Sequence, residues 1–293
     1  MKKSLSWYRW YHGWLLLLPT VLGLVLFRIG PMFWSMALAF SRWDLLAPLE
    51  WIGGENFAEL LRKSLSIAVL KNTLVFSLIY VLVVVSAGLL LAVLLDRRFT
   101  GVYFFRAAFY VPVVTSAVAV GIVWYWILSP DYGVLSAVFK IFRIEMPVWL
   151  GDKAWALFSV VGIQAWKMCG YYMVIYLTGL QQIPPSLLEA GRIDGANRWQ
   201  RFWRITWPLL SATTFFIIFV AIIDSFKNFE MIYTLTRGGP NNASNTLSYD
   251  IYVNAFIHYR YGYASAEAVI LLLIIGIITA VNFITKKRWV EYF

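Results

Sequence analysis

The segment from Ile67 to Leu95 is a long apolar run, and it constrains this chain more than any other stretch does. Leu, Val and Ile would occupy every face of the helix that it forms. A helix rises about 1.5 Å per residue, so about 20 apolar residues cross the roughly 30 Å hydrocarbon core of a bilayer. A soluble surface helix would keep one polar face. The run therefore predicts a membrane span.

Five further apolar stretches extend this prediction to six spans, at approximately residues 14–38, 67–95, 104–128, 155–180, 209–235 and 263–285. The composition agrees, because the 293 residues are 61% hydrophobic and 14% charged, against about 45–50% and about 25% in soluble domains. We expect an all-α polytopic membrane protein. Residues 1–66 would form an N-terminal segment, the first span and an outer loop, and residues 67–293 a five-helix core.

The charges of the connecting segments predict the orientation. Segments 1–13, 96–106, 180–208 and 286–293 hold 13 Lys and Arg against 4 Asp and Glu. The longer segments on the other side, 41–71, 129–154 and 236–262, hold 9 against 8. Cytoplasmic loops carry the excess of positive charge, so both termini are predicted in the cytoplasm. The same bias explains the net charge of +10 better than nucleic-acid binding does.

Several kinds of chemistry are excluded or disfavoured by the residues that are present. One cysteine, Cys169, excludes an internal disulfide, and with only two histidines a structural zinc site is not expected. The sequence contains no G-x-x-x-x-G-K-[ST] loop, so this chain is not expected to bind ATP phosphates itself. H-E-x-x-H and G-x-S-x-G are also absent. We therefore expect neither an enzyme nor a resident metal or cofactor.

Polar side chains at membrane depth mark the fourth and fifth predicted spans. Gln164, Lys167 and Tyr171 are spaced i, i+3, i+7, and Asp224, Lys227 and Asn228 are spaced i, i+3, i+4. Each set therefore falls on one helical face. Charges buried in lipid are costly and usually mark a pathway or a pair. Two interpretations stay open: the stripes line a cavity for a hydrogen-bonding solute, or Lys167 or Lys227 neutralises Asp224.

The connector between these two spans, residues 183–208, is long, charged and well patterned. Ser186 with Glu189 resembles a capping box that opens a helix. Asp194-Gly195 would end that helix, and a second, amphipathic helix would start near Asn197. The connector could lie on the anionic inner leaflet. Its acidic residues and defined turn favour docking to a protein partner instead.

This connector resembles the cytoplasmic EAA signature of the permease subunits of binding-protein-dependent ABC importers. The signature reads approximately E-A-A-x-x-D-G-A, followed by F, I and L-P. The matching residues are Glu189-Ala190-Gly191, Asp194-Gly195-Ala196, Phe202, Ile205 and Trp207-Pro208. The chain departs from the signature at Gly191 and Trp207. Further residues, among them Asn72-Thr73-Leu74, Trp166-Lys167 and Gly238-Gly239-Pro240, resemble the carbohydrate-uptake branch, in particular the larger maltose permease or the first glycerol-phosphate permease.

The resemblance implies a division of labour among several chains. Glu189, Ala190, Gly191, Asp194, Gly195 and Ala196 would couple to a cytoplasmic ATPase dimer, which would bind the ATP and magnesium. A second homologous permease and an extracytoplasmic solute-binding protein would complete the importer in the cytoplasmic (inner) membrane. Aligned by the signature, the family's substrate contacts fall on Gln164, Lys167, Met168, Tyr171, Asp224, Ser225 and Asn228.

The expected function is therefore that of a permease subunit carrying a sugar-type solute, whose identity and charge the sequence leaves open. Lys167 favours an anionic or large saccharide. The alternative is a self-sufficient secondary transporter that uses the intramembrane charges as an ion relay. Such proteins usually show inverted repeats and more spans. Neither feature is visible in this sequence.

Overall fold

The structure, a computed structural model, describes residues 5–97 and 99–286, with side chains from residue 12 onward. Lys287 and Arg288, which follow the sixth predicted span, lie outside the described residues, as do Lys2 and Lys3. Contacts divide the chain into two units. The first contains residues 1–62 and 251–270, and the second contains residues 63–250 and 271–293. The division at residues 66 and 67 stays a prediction.

The first unit begins with the first predicted span. It consists of α1 (Leu5–Leu24), a π-helical turn (Val25–Ile29) and α2 (Gly30–Leu38). Pro31 falls in the first turn of α2, directly after the π-helical turn. Proline has no backbone N–H, and the first turn of a helix tolerates this. The helix therefore passes through the Arg28–Pro31 interruption without ending.

The first unit also contains a small polar substructure. Strands β1 (Ser41–Arg42) and β2 (Glu50–Trp51) pair antiparallel and are followed by α3 (Glu55–Arg62). The buried Asn56 amide donates to the carbonyls of Ala39 (2.9 Å) and Ser41 (2.8 Å). In the connecting turn, the backbone N–H groups of Ala47 and Leu46 donate to Asp44 and lower the pKa of its carboxyl.

The second unit is a helical bundle built on α4 (Ser64–Leu95) and α8 (Ala156–Gln182), which pack along each other. Helix α5 (Val102–Val114) packs on α8, and α12 (Ser211–Phe226) packs on α4. Gly170 of α8 lies against the backbone of Phe109, where a Cβ would meet the Phe109 carbonyl oxygen at 1.9 Å. The interior is filled by large aromatic rings, including Phe76, Tyr80, Tyr172 and Tyr176.

The third and fifth predicted spans are each broken, which corrects the prediction of continuous helices. In place of 104–128 the structure has α5 and α6 (Ala117–Ile127), bent by 100° at Thr115–Ser116. In place of 209–235 it has α12, a break at Lys227–Phe229, and α13 (Glu230–Leu235). Both halves of each broken span are apolar, so the hydropathy of the sequence does not indicate the breaks.

Three described helices are long and apolar enough to cross a membrane: His12–Leu38, Ser64–Leu95 and α15 (Tyr261–Lys286). The number rises to five if each of two bent pairs is one span, Val102–Val114 with Ala117–Ile127 and Arg198–Leu209 with Ser211–Phe226. Helix α8, although 27 residues long, is too polar to be counted with them. The remaining elements are α7 (Val134–Ile141), α14 (Leu247–Tyr252) and a π-helical turn at Val253–Ile257.

The 183–208 connector contains two helical segments with a turn between them. Helix α9 (Pro185–Ile193) is followed by Asp194 and Gly195, and α10 (Arg198–Arg201) continues through a π-helical turn (Phe202–Thr206) into α11 (Trp207–Leu209). Gly195 has φ +77°, a conformation that glycine adopts without strain. The predicted capping box at Ser186 is wrong, because α9 begins at Pro185 with Pro184 as its N-cap.

Candidate functional site

The two helix breaks of the second unit meet at one cavity of about 380 Å³, which we name the break cavity. Ala117 is the first residue of α6, and Asn228 lies between α12 and α13. The lining residues are Ala117, Gln164, Met168, Asp224, Lys227, Asn228, Phe229 and Glu230. In membrane proteins, non-helical backbone at membrane depth is tolerated where it lines a cavity or is buried in protein.

The break in the third predicted span has a local cause in its sequence. Pro112 has no backbone N–H, so it removes a helical hydrogen bond near the end of α5. The Thr115 hydroxyl donates to the Pro112 carbonyl at 2.6 Å, and Thr115 itself is extended. Helix α6 then restarts at Ala117. Pro112, Thr115 and Ser116 thus precede the restart of the helix at Ala117, which lines the break cavity.

Four of the seven predicted substrate-path residues line the break cavity: Gln164, Met168, Asp224 and Asn228. The Gln164 Oε1 and Asn228 Nδ2 atoms are buried and have no hydrogen-bond partner in the described part of the chain. A buried polar atom without a partner costs about 1–3 kcal/mol. One acceptor and one donor without partners thus belong to residues that line the same cavity.

Asp224 is held by a residue outside the predicted set. The Tyr172 hydroxyl donates to Asp224 Oδ2 at 2.8 Å. The predicted Tyr171 instead packs edge-on against Tyr172, with ring centroids 5.2 Å apart. Gln164, Met168 and Tyr172 follow the i, i+4, i+8 row of α8, whereas the predicted residues Gln164, Lys167 and Tyr171 follow the i, i+3, i+7 row. Both rows contain polar residues, so the sequence could not decide between them.

The other two predicted residues face neighbouring helices. The buried Lys167 ammonium donates to the Val113 carbonyl at 3.1 Å, near the end of α5. The Ser225 hydroxyl donates to the Ile222 carbonyl at 2.6 Å, and its oxygen is hydrogen-bonded to the Ser77 hydroxyl of α4 at 2.7 Å. Neither residue belongs to the cavity lining. Their role in a substrate path stays a prediction.

Three charged side chains of the lining come from the break between α12 and α13 and from its edges: Asp224, Lys227 and Glu230. The sequence shows Lys227 and Glu230 as charged, but the family alignment does not assign them to the path. One cation and two carboxylates give the lining no excess of positive charge. Phe229 and Met168 supply apolar surface beside these groups.

The 183–208 connector exposes the predicted coupling residues on a defined frame. Glu189, Ala190, Asp194 and Gly195 are exposed, Ala196 is half-buried, and Gly191 is buried. A Cβ on Gly191 would meet Ile205 Cδ1 at 2.8 Å, so glycine lets α9 approach the second segment closely. Asn197 and Gln200 form a reciprocal capping box, with both hydrogen bonds at 2.9 Å. Ile193 is 86% exposed.

Broken apolar helices around a polar cavity, together with an exposed helix–turn–helix, define a transport protein of the membrane. Comparison with known proteins gives the family. The model of "Binding-protein-dependent transport system inner membrane component" matches residues 85–290. The chain belongs to this family. It is an inner-membrane permease subunit of an ABC importer that works with a binding protein, and not an enzyme.

Similar proteins extend over nearly the whole chain. The probable ABC transporter permease YesP of Bacillus subtilis is 35% identical over 96% of this chain and 92% of its own length. The sn-glycerol-3-phosphate permease UgpA of Agrobacterium fabrum is 34% identical over 95% of both chains. The probable starch degradation products permease AmyD of Thermoanaerobacterium thermosulfurigenes is 31% identical over 96% of both. None of these relatives supports the alternative of a self-sufficient transporter.

Solved structures support the fold. A chain of a bacterial alginate ABC transporter, in complex with an alginate pentasaccharide-bound periplasmic protein, matches with TM-score 0.86, 24% identity and 98% coverage of both chains. A second structure, of a transporter that imports the acidic polysaccharide alginate, matches with TM-score 0.85, 26% identity and coverage of 98% and 99%. The described helices therefore have the architecture of an ABC permease.

Proposed function

We propose that this chain and a second, homologous permease form the translocation path for a saccharide, and that the break cavity is this chain's part of that path. The observation that carries the proposal is a pair of buried atoms, Gln164 Oε1 and Asn228 Nδ2, which have no partner in residues 5–97 and 99–286 and whose residues line the cavity between two helix breaks. Discontinuous helices of this kind form solute sites near the middle of the membrane in many transporters.

The chemistry of the cavity favours a hydroxylated solute. A sugar hydroxyl both donates and accepts, so neighbouring hydroxyls can satisfy an amide oxygen and an amide N–H together. Lys227 lines the cavity together with two carboxylates, Asp224 and Glu230, and the Lys167 ammonium binds a backbone carbonyl. This distribution removes the reason for expecting an anionic solute. A neutral saccharide fits this half of the path better than a phosphate ester or a uronate.

The proposal assigns energy coupling to the 183–208 connector. Exposed Glu189, Ile193 and Trp199 combine charge with apolar surface on a two-helix frame, which suits a protein partner. That partner would be the cytoplasmic ATPase dimer, which would hold ATP and magnesium. ATP-driven closure of the dimer would move the connector and switch the access of the cavity. This requires both termini in the cytoplasm and six spans, with α8 and the two bent pairs each crossing once.

Uptake by the complete importer in proteoliposomes tests the proposal. The importer would be purified with its binding protein and ATPase and supplied with maltose, maltopentaose, an alginate disaccharide, an alginate pentasaccharide and sn-glycerol 3-phosphate. We expect ATP-dependent uptake of a neutral saccharide, with weaker or no uptake of the anionic compounds. Uptake of sn-glycerol 3-phosphate alone would contradict the proposal.

A further inference from the structure

A second cavity of about 410 Å³ lies at the other end of the helix pair that borders the break cavity. Ala117 and Glu230, the first residues of α6 and α13, line the break cavity. Leu128 and Leu235, at the opposite ends of the same two helices, line the second cavity. Because Tyr125 and Tyr132 are among its lining residues, we name it the tyrosine cavity.

The helix pair fixes the distance between the two cavities. Ala117 and Leu128 are eleven residues apart, which is about three turns and about 16 Å along a helix, so both fall on one face. Between them, Gly121 lies against Thr234, where a Cβ would meet Thr234 Cγ2 at 2.7 Å. The two helices are therefore in close contact between the cavities. The two cavities therefore lie at opposite ends of one tightly packed pair of helices, α6 and α13.

The tyrosine cavity combines flat apolar surface with a hydrogen-bond acceptor. Tyr125 is 50% exposed and Tyr132 is 62% exposed, so both rings are available to a ligand. Asp131 and Ser129 line the same cavity. A tyrosine offers an apolar ring and a polar tip, and a carboxylate accepts several hydrogen bonds. This combination matches a sugar ring, which has apolar C–H faces and hydroxyl edges.

The frame of the tyrosine cavity is held by hydrogen bonds within the second unit. The Ser136 hydroxyl donates to the Pro130 carbonyl at 2.6 Å, and the Gly133 N–H donates to the Ser129 carbonyl at 3.0 Å. On the opposite wall, the Ser244 hydroxyl contacts the Gly239 carbonyl at 2.6 Å. The volume of the tyrosine cavity is within the range of about 300–1,000 Å³ that is usual for ligand sites. The cavity is a built pocket between anchored loops.

We propose that the tyrosine cavity is a second saccharide subsite. It binds one end of an oligosaccharide whose other end occupies the break cavity. The inference rests on the proposed function, because it assumes that the solute is a saccharide. It adds that the solute extends over several sugar units, since about 16 Å separates the ends of the shared helix face. A lipid acyl chain would cover the rings but would leave the Asp131 carboxylate without a partner.

Cysteine protection tests the subsite. In a Cys169→Ser background, Met168→Cys reports on the break cavity and Tyr132→Cys on the tyrosine cavity. Tyr103→Cys, whose parent side chain is 79% exposed on α5 and lines neither cavity, is the control. Each variant would be assembled into the complete importer and labelled with a methanethiosulfonate reagent. The probes are maltose, maltopentaose, and an alginate disaccharide and pentasaccharide.

We expect a pentasaccharide at ten times its Kd to slow labelling about tenfold at both Met168→Cys and Tyr132→Cys. The matching disaccharide should slow labelling at Met168→Cys alone, and Tyr103→Cys should be unaffected. Unchanged labelling of Tyr132→Cys while Met168→Cys is protected would overturn the subsite and leave the proposed function intact. If no probe protected Met168→Cys, the proposed function itself would fail.

Discussion

Gln164 and Asn228 line the break cavity, and the side-chain amide of each has one buried hydrogen-bonding atom without a partner in the described chain. Polar residues of this kind are retained in apolar helices at a cost. A solute that pairs with both atoms removes that cost. At the scale of single residues, we therefore expect transport to depend first on these two amides.

Asn228→Ala removes the donor. We expect KM for uptake to rise about three- to tenfold, because a neutral hydrogen bond contributes about 0.5–1.5 kcal/mol and 1.4 kcal/mol corresponds to a factor of ten. Asn282→Ala is the matched control, since its Nδ2 is also buried without a partner among the described residues but lies outside the cavity. An equal rise of KM in both variants would show that the effect does not arise in the cavity.

Lys167 and Lys227 should respond in opposite ways to replacement by methionine. Lys167→Met removes the hydrogen bond to the Val113 carbonyl, which is worth about 1.5–3 kcal/mol for a charged donor. We expect a lower Tm and unchanged KM. Lys227→Met changes the lining of the cavity, and we expect a changed KM with little change in Tm. Tm and uptake should be measured on the same preparations of both variants. A changed KM in Lys167→Met and a lower Tm in Lys227→Met would show that Lys167 acts on the solute and Lys227 on stability.

Single residues also show which parts of the candidate site could be predicted from the sequence and which could not. Gln164, Met168, Asp224 and Asn228 could be predicted because the family alignment and the helical spacing point to them. Tyr172 was missed, although it donates to Asp224. Its neighbour Tyr171 is equally polar and one position away, and only the packing of α8 against α4 and α12 decides which ring faces Asp224.

At the scale of elements, glycines set how closely the helices of the second unit approach each other. Gly170 and Gly162 lie in the same helix, α8, two turns apart. A Cβ at position 170 would meet the Phe109 carbonyl oxygen at 1.9 Å, whereas nothing lies within 4 Å of a Cβ at position 162. Alanine substitutions at the two positions therefore distinguish the effect of helix propensity on stability from the effect of helix packing.

Gly170→Ala should push α5 away from α8. Overpacking against backbone costs about 1–3 kcal/mol or more, and we expect Tm to fall on the order of 10 °C. Gly162→Ala should leave Tm unchanged or raise it slightly, because alanine is favoured over glycine inside a helix by about 0.5–1 kcal/mol. Thermal unfolding in detergent measures both. A similar fall of Tm in both variants would contradict the described α5–α8 contact.

The elements themselves were predictable to different degrees. The long apolar runs predicted α4 and α15, since their length and composition leave few alternatives. The breaks after Val114 and after Phe226 were not predicted, because both halves of each broken span are apolar. Pro112 was visible in the sequence, but a proline inside a span can bend a helix without ending it. The 100° bend follows from Pro112 together with the extended Thr115 and Ser116.

At the scale of the whole molecule, the break cavity and the 183–208 connector lie on the same stretch of chain. Helix α8 carries Gln164 and Met168 and ends at Gln182, directly before the connector, and α12 follows the connector and carries Asp224. Under the proposed function, a movement of the connector would therefore reach both walls of the cavity through α8 and α12.

Two changes in the connector should uncouple the importer. Glu189→Lys reverses an exposed charge, and Gly195→Pro is incompatible with φ +77° because proline requires φ near −65°. We expect both variants to remain in the membrane, to lose transport and to lose co-purification of the ATPase. Glu145→Lys, an exposed carboxylate on a different loop, is the control. Retained transport and ATPase binding in both variants would remove the connector from coupling.

The central claim is that this chain provides a saccharide path which only a partner ATPase can drive. Uptake of a radiolabelled saccharide into proteoliposomes tests it most directly, comparing the complete importer with this chain reconstituted alone. We expect uptake by the complete importer only when ATP is available to the ATPase, and none by the chain alone under any ion gradient. Saccharide accumulation by the chain alone without ATP would contradict it.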